Sequence, residues 1–434
     1  MKILITGVTG FLGGHIADRL AGDGHRLTCA VRNPDSARER RPTFDFVATD
    51  FNRATEPERW LPLLAGIDVV INAVGILREA PGQSFDVLHT RAPSALFSAC
   101  AIAGVRHVIQ ISALGADEDA QSRYHLSKRA ADEHLRSLPL RSTIVQPSLV
   151  FGIDGASARM FGTMASLPLI PLPGRGDQCV QPVHVDDLVD AIARLVATPD
   201  LRIESGTRVP VVGPRPLTLR AFLGALRTVL GIRRTPRFLP LPDGLTTLGA
   251  KLAGHLPGAF LDTETLQMLR RGNIADPGAM REVLGHDPRP VADFVPPALV
   301  EPLRLRAQLG WLLPVLRLSI AFVWILTAIV SFGLYPVEAS HALLAEAGVP
   351  AALRPAALYG AAVLDLALGA LTLCSYRRAW VWQAQVALIV GYMLIITVKL
   401  PEFWLHPYGP ISKNLPMLAA IWLLYELESR NWNT

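Results

Sequence analysis

The chain is poor in cysteine, and its four cysteines show no pairing pattern. Cys29, Cys100, Cys179 and Cys374 lie far apart, which argues against a disulfide framework or a zinc site and fits a reducing compartment for the soluble part. No metal is expected. Blocks of like charge are missing too. The 42 Lys and Arg residues are scattered among 37 acids, for a net charge of +5, without the aromatic interleaving of a nucleic-acid surface. Glycines, His15 and Asp18 break up the only N-terminal apolar stretch, so a cleaved signal peptide is not expected. Charge is absent from Leu318 to Leu334 and again from Ala379 to Val398. Half of the 434 residues are hydrophobic, and the excess collects after about residue 310. A membrane part is therefore expected, in a chain long enough for roughly two to three domains.

What is present begins with Lys2 to Gly14, KILITGVTGFLGG. Ile3 to Ile5 is a strand-forming run. Gly7, Gly10 and Gly13 follow at spacing three, and Ile16, Ala17 and Leu20 then recur as on a helix face. Strand, tight turn and helix N-terminus leave first-turn N–H groups exposed to an anion, and glycine lets the backbone approach it. A pyrophosphate suits that place.

Strand and helix keep alternating. Strands are expected over 25–31, 44–49, 68–71, 106–111 and 141–146, with a helix over 85–103. The fold class is thus α/β, a doubly wound parallel sheet of Rossmann type with its ligand crevice at the strands' carboxyl ends. Arg32, ending the second strand, favours a 2′-phosphate, hence NADP(H) over NAD(H). Asp50, followed by Phe51, either accepts from an adenine amino group or forms a turn. Asn72-Ala73-Val74-Gly75 offers small residues beside a nicotinamide ribose.

Ser112 ends the fifth strand, and Tyr124-His125-Leu126-Ser127-Lys128 opens the next helix. Tyrosine and lysine four apart share one helix face. A phenol with a reference pKa near 10 is a weak base at neutral pH, and an ammonium one turn away is expected to favour the phenolate. Lys128 can also reach ribose hydroxyls, while Ser112 orients a reacting oxygen toward Tyr124.

On TGVTGFLG, INAVG, YHLSK, QPSLVFG and QPVHVDD, residues 1 to about 300 resemble the short-chain dehydrogenase/reductase family of the extended or atypical kind. Within it they are similar to the NADPH-binding accessory subunit of respiratory complex I. The resemblance implies cofactor contacts at Gly7, Thr9, Gly10, Phe11, Leu12, Gly13, Arg32, Asp50, Phe51, Ala73, Val74, Gly75, Lys128, Pro147 and Ser148. It implies catalytic roles for Ser112, Tyr124 and Lys128. It also implies a small substrate lobe over about 150–300. There, His184 either contacts substrate or caps the helix that follows it. The complex I subunit keeps its cofactor without known turnover.

Four apolar spans are expected at about 311–334, 355–375, 379–399 and 411–427, making 301–434 an all-α four-helix transmembrane domain. With His406-Pro407-Tyr408-Gly409-Pro410, the quartet resembles the DoxX-like family. Arg304, Arg306, Arg377 and Arg378 fall on one side, which the positive-inside rule assigns to the cytosol. Asp365 lies near mid-membrane and is either a functional residue or a bonded structural one. The expected whole is an inner-membrane, NADP(H)-dependent oxidoreductase with its nucleotide domain in the cytosol, acting on the carbonyl or hydroxyl of a lipophilic substrate. The alternatives are a silent NADPH-binding assembly or redox-sensing subunit beside a membrane protein partner, and a nucleotide-sugar epimerase or dehydratase.

Overall fold

The computed structural model describes residues 1–198, 204–254, 262–374 and 378–429. These residues divide into two compact units, Met1–Ala307 and Gln308 onward.

In the first unit the strands β1 (Lys2–Thr6), β2 (Arg26–Val31), β3 (Asp45–Ala48), β4 (Val69–Asn72), β5 (His107–Ile111) and β6 (Ser142–Pro147) come first. Short strands follow: β7 (Val150–Phe151), β8 (Ile170–Pro173), β9 (Cys179–Val180) and β10 (Val183–His184). The last are β11 (Thr207–Val211), β12 (Leu217–Thr218) and β13 (Phe238–Leu241). Seven of these form one parallel sheet in the order β11-β6-β5-β4-β1-β2-β3. The order reverses between β1 and β4, and such a switch point opens a crevice at the carboxyl ends of its two strands.

The helices of this unit are α1 (Phe11–Gly22), α2 (Pro34–Arg40), α3 (Ala92–Ala103), α4 (Arg123–Ser137) and α5 (Ala156–Ser166). After them come α6 (Val185–Ala197), α7 (Leu219–Val229), α8 (Asp243–Gly254), α9 (Thr263–Arg271) and α10 (Gly278–Leu284). Alternation along β1 explains the layers. Ile3 and Ile5 pack with Ile16, Leu20 and Ile192 on one face, whereas Leu4 joins Trp60, Leu96 and Phe97 on the other. A sheet buried on both faces needs the near-continuous apolar runs seen in β1, β4 and β5. The expected helix over 85–103 begins as a wider turn, Asp86–Arg91, before α3. The smaller lobe has its own core of Phe151, Phe161, Phe222 and Phe294. The pairs β7–β10, β9–β12 and β8–β13 stitch this lobe together.

The second unit is helical: α11 (Val300–Ile329) enters it, followed by α12 (Val337–Glu346), α13 (Arg354–Cys374), α14 (Ala379–Lys399) and α15 (Asn414–Ser429). Three helical stretches among the described residues are long and apolar enough to cross a membrane: Pro297–Leu334, Ala351–Cys374 and Ala379–Lys399. The expected fourth span, at about 411–427, falls on α15. Its described part has 16 residues, about 24 Å of helix. Arg377 lies outside the described residues.

Candidate functional site at the carboxyl ends of the sheet

The glycine turn is built by steric necessity. Gly7 has φ +76°, and a Cβ there would sit 2.6 Å from the Ala73 carbonyl carbon. A Cβ on Gly13 would lie 2.2 Å from the Gly7 oxygen. The turn, α1 and the strand-end segment after β4 therefore close on one another only through bare backbone. Gly10 is the N-cap of α1 and supplies no side chain to its first-turn N–H groups, leaving the positive end of the helix for an external anion. This is the arrangement a dinucleotide pyrophosphate requires, and the residues present fit it. Thr9 is exposed on the turn. Leu12 and Phe11 pack partly on the core, with the Phe11 ring against Gly152 of the small lobe.

A buried polar chain fixes the strand ends. Thr6 Oγ1 donates to Asn72 Oδ1 at 2.6 Å, and Asn72 Nδ2 donates to Gln110 Oε1 at 2.7 Å. Ala73, Val74 and Gly75 continue from Asn72 as expected, and the Val74 carbonyl faces the Lys128 ammonium.

Ser122 caps α4 by accepting from His125 N at 3.1 Å, which starts the helix just ahead of Tyr124. Tyr124 N also donates to Glu264 of α9. The Tyr124 ring sits edge-on to Phe85, His89 and His125. His89 is fully buried, accepts from Ile76 N at 2.9 Å and contacts Ser127 Oγ at 3.0 Å. Burial, with Lys128 nearby, drives its pKa down to about 2, so its ring is neutral. Lys128 is buried, and Nζ donates to the carbonyls of Ile111 (3.1 Å) and Val74 (3.2 Å). It thereby bridges the carboxyl ends of β5 and β4. An ammonium has three donors, and two are committed.

Three expectations need correction. The Tyr124 hydroxyl is not made acidic. Part of the residue reaches solvent, but its phenol lies deep among protein atoms, and burial pushes the pKa up to about 12, reinforced by the Asp132 carboxylate. Lys128 does not offset this, because its ammonium is turned to the two carbonyls and is itself shifted down by burial. Secondly, Ser112 Oγ donates to Asp132 Oδ2 at 2.5 Å, so its proton is held inside the protein. Thirdly, the Phe51 side chain is core, with its ring edge-on to Trp60 at 5.2 Å, and can serve a cofactor through backbone alone.

The remaining positions divide similarly. Asp50 forms the turn that was the alternative reading, its Oδ1 accepting from Asn52 N at 3.1 Å. Arg32 is exposed at the carboxyl end of β2. Pro147 and Ser148 are buried at the end of β6, where Ser148 Oγ donates to the Gln181 carbonyl at 2.6 Å. His184 caps α6 through Nδ1 and packs near Phe151 and Phe294, which is the capping and packing reading. Sequence reasoning missed Asp132, which is fully buried. The available signal was an acid one turn beyond Lys128 on the same helix face.

Residues 3–208 match the NAD dependent epimerase/dehydratase family, and residues 321–422 match the DoxX-like family. The first unit carries an epimerase-type, short-chain-dehydrogenase-like NAD(P)-binding domain, and a DoxX-like domain follows it. A ceramide reductase of Caulobacter vibrioides is 29% identical over 251 residues, covering 57% of this chain and 76% of that protein. A mouse mitochondrial protein, NADH dehydrogenase [ubiquinone] 1 alpha subcomplex subunit 9, is 26% identical, covering 66% of this chain and 76% of its own length. Among solved structures, a Staphylococcus aureus nucleoside-diphosphate-sugar epimerase superposes with a TM-score of 0.56 at 17% identity, covering 68% of this chain and 99% of that one. An Escherichia coli NADPH-dependent quinone oxidoreductase gives 0.53 at 18%, covering 67% and 97%. At these identities the structural likeness shows the fold.

The helical unit has a buried polar centre of its own. Arg317 of α11 pairs with Glu428 of α15, donates to the Thr372 carbonyl at 2.8 Å and lies over the Trp382 ring at 5.1 Å. Trp324 Nε1 donates to Gln385 Oε1 at 2.8 Å, and Gln385 Nε2 donates to Thr372 Oγ1 at 3.0 Å. Asp365 is 5% exposed, and its Oδ1 has no hydrogen-bond partner among the described residues.

Proposed function

We propose that this protein is a membrane-tethered NAD(P)H-dependent oxidoreductase, with NADP(H) preferred, that reduces the carbonyl of a lipophilic substrate. The observation that carries this reading is Lys128 bridging the carboxyl ends of β4 and β5, with Ser112 following β5 and Tyr124 one turn before Lys128 on α4. When bound, the dinucleotide supplies the hydride. Gly7, Gly10 and Gly13 would admit its pyrophosphate, Arg32 a 2′-phosphate, and the third donor of Lys128 a ribose hydroxyl. Tyr124 acts as general acid. Its raised pKa keeps the phenol protonated at neutral pH, the state needed to deliver a proton to a developing alkoxide. Lys128 holds the ribose beside it, and Ser112 fixes the reacting oxygen.

The likeness to a ceramide reductase supports a lipophilic substrate, and the apolar helices give a reason for the tether. Arg304, Arg306 and Arg378 flank the first two spans, so two crossings return them to one side whatever α15 does. The positive-inside rule assigns that side, and the nucleotide domain with it, to the cytosol of an inner-membrane protein.

The test is Tyr124→Phe in the full chain, assayed by NADPH oxidation across a panel of long-chain carbonyls. Turnover should fall by about 10²-fold or more, with NADPH affinity kept within a few-fold. Unchanged turnover discards the assignment. A second reading, a silent nucleotide-binding subunit with a membrane protein partner, draws on the complex I relative and on the Ser112 proton being held by Asp132. It expects tight NADPH binding, no turnover on the panel and co-purifying proteins.

A further inference from the structure

Ser112 has one hydroxyl hydrogen, and the Asp132 carboxylate lies where it can take it. Oγ donates to Asp132 Oδ2 at 2.5 Å, within the short range of a hydroxyl on a carboxylate. Toward a substrate, the hydroxyl then offers only lone pairs. Those accept from an alcohol but repel a carbonyl oxygen, which can only accept in turn. We infer that Asp132 sets the polarity of Ser112. With the carboxylate ionised, Ser112 is an acceptor suited to the alcohol; with the carboxyl protonated, Oδ2–H donates to Oγ and the Ser112 hydrogen turns to the carbonyl. Binding the carbonyl therefore takes up one proton from solvent that binding the alcohol does not. The substrate half of this statement rests on the oxidoreductase reading above; the Ser112–Asp132 half does not.

The surroundings suit a group that changes state. Asp132 is fully buried, and its Oδ1 has no hydrogen-bond partner among the described residues. The charged groups around it are spoken for elsewhere. Lys128, on the same helix, holds the Val74 and Ile111 carbonyls, and Arg208 of β11 pairs with Glu133 at 2.5 Å. Gln110 of β5, beside Ser112, gives its Oε1 to Asn72. Tyr124 completes the group of titratable neighbours. Burial holds the carboxyl above the usual carboxylate range, at about 7, against the opposing effects of Ser112, Lys128, Arg208 and Gln110. Both states are then reachable near neutral pH.

The experiment is an infrared pH titration of the full-length protein in nanodiscs, following the protonated-carboxyl stretch. Wild type should show a carboxyl titrating near neutrality that is absent in Asp132→Asn. Its midpoint should move upward in Ser112→Ala, which removes the donor to the carboxylate. No such carboxyl, or a midpoint indifferent to Ser112→Ala, overturns the inference. A kinetic arm uses 2-decanone with NADPH and 2-decanol with NADP+ as probes. KM for the ketone should rise about tenfold per pH unit above the midpoint, and KM for the alcohol likewise below it. Both profiles should flatten in Asp132→Asn, whose amide can donate or accept. Flat wild-type profiles alongside a titrating carboxyl also overturn it. A titrating, Ser112-dependent carboxyl in a protein that turns over neither probe nor any carbonyl of the panel leaves the polarity switch standing and sinks the oxidoreductase reading instead.

Discussion

Gly13→Ala separates a glycine required by the nucleotide turn from one that only occupies a helix. In a helix interior, alanine is favoured over glycine by about 1 kcal/mol. At residue 13, however, the new Cβ would lie 2.2 Å from the Gly7 oxygen and 2.5 Å from its carbonyl carbon. Both are backbone atoms of the turn, so no side chain can swing aside, and relief needs a backbone shift on the order of 1 Å. Overpacking of that kind costs about 1–3 kcal/mol, which cancels or exceeds the helix gain. The larger effect falls on the ligand. A shift on the order of 1 Å misaligns N–H donors, and hydrogen bonds to a charged group are worth about 1.5–3 kcal/mol each. Losing one or two corresponds to about 10- to 10⁴-fold in NADPH affinity. Gly22→Ala, at the other end of α1, is the control because nothing lies within 4 Å of its Cβ position. It should match or exceed wild-type stability with unchanged NADPH binding. The assay is a fluorescence titration with NADPH beside thermal unfolding. If Gly13→Ala bound NADPH within twofold of wild type, the glycine turn would not be the pyrophosphate cradle.

Arg32→Asp should abolish a preference for NADPH over NADH by removing the only exposed cation assigned to the 2′-phosphate; a preference that persisted in paired titrations would mean the phosphate is met elsewhere. Glu428→Gln removes the carboxylate paired with the buried Arg317 beside Trp382 and should destabilise the helical unit, read as a lower unfolding temperature in detergent. Acid should weaken the nucleotide domain early. His89 is depressed to about 2, and His107 and His125 to about 4, all by burial first. The unfolded chain therefore binds protons at these sites that the folded one refuses. Their stability contribution is intact above about pH 6.5 and is lost as pH falls below it, by about 1.4 kcal/mol per pH unit for each group. Urea midpoints from pH 8 to 5 should show this fall, and His89→Gln should reduce its slope.

The sheet was legible because its signals are local and mutually reinforcing. Each strand ends within two residues of its expected limit, since an apolar run followed by Gly, Asp or Asn leaves the chain few alternatives. The membrane unit was legible in composition, because its long runs without charge leave little but helices packed in an apolar setting. Arg317 reads in sequence as one charge interrupting a span. Only the fold brings Glu428, 111 positions away, to neutralise it.

The chemistry was legible as a set of positions and illegible as a set of states. The Tyr124–Lys128 spacing puts both side chains on one face, but it does not say where the ammonium points. Here the Ile111 and Val74 carbonyls capture it, and burial rather than charge then decides the phenol. The same reasoning applies to Ser112: a serine at a strand end is a donor by composition, yet it has only one hydrogen, and a buried carboxylate twenty residues on takes it. Such assignments depend on competition between partners that the fold assembles from separate elements, here β5 and α4. A serine whose hydrogen is held by Asp132 can donate to a carbonyl only if the site gains a proton when the carbonyl arrives. That requirement ties Asp132 to the same chemistry as the triad.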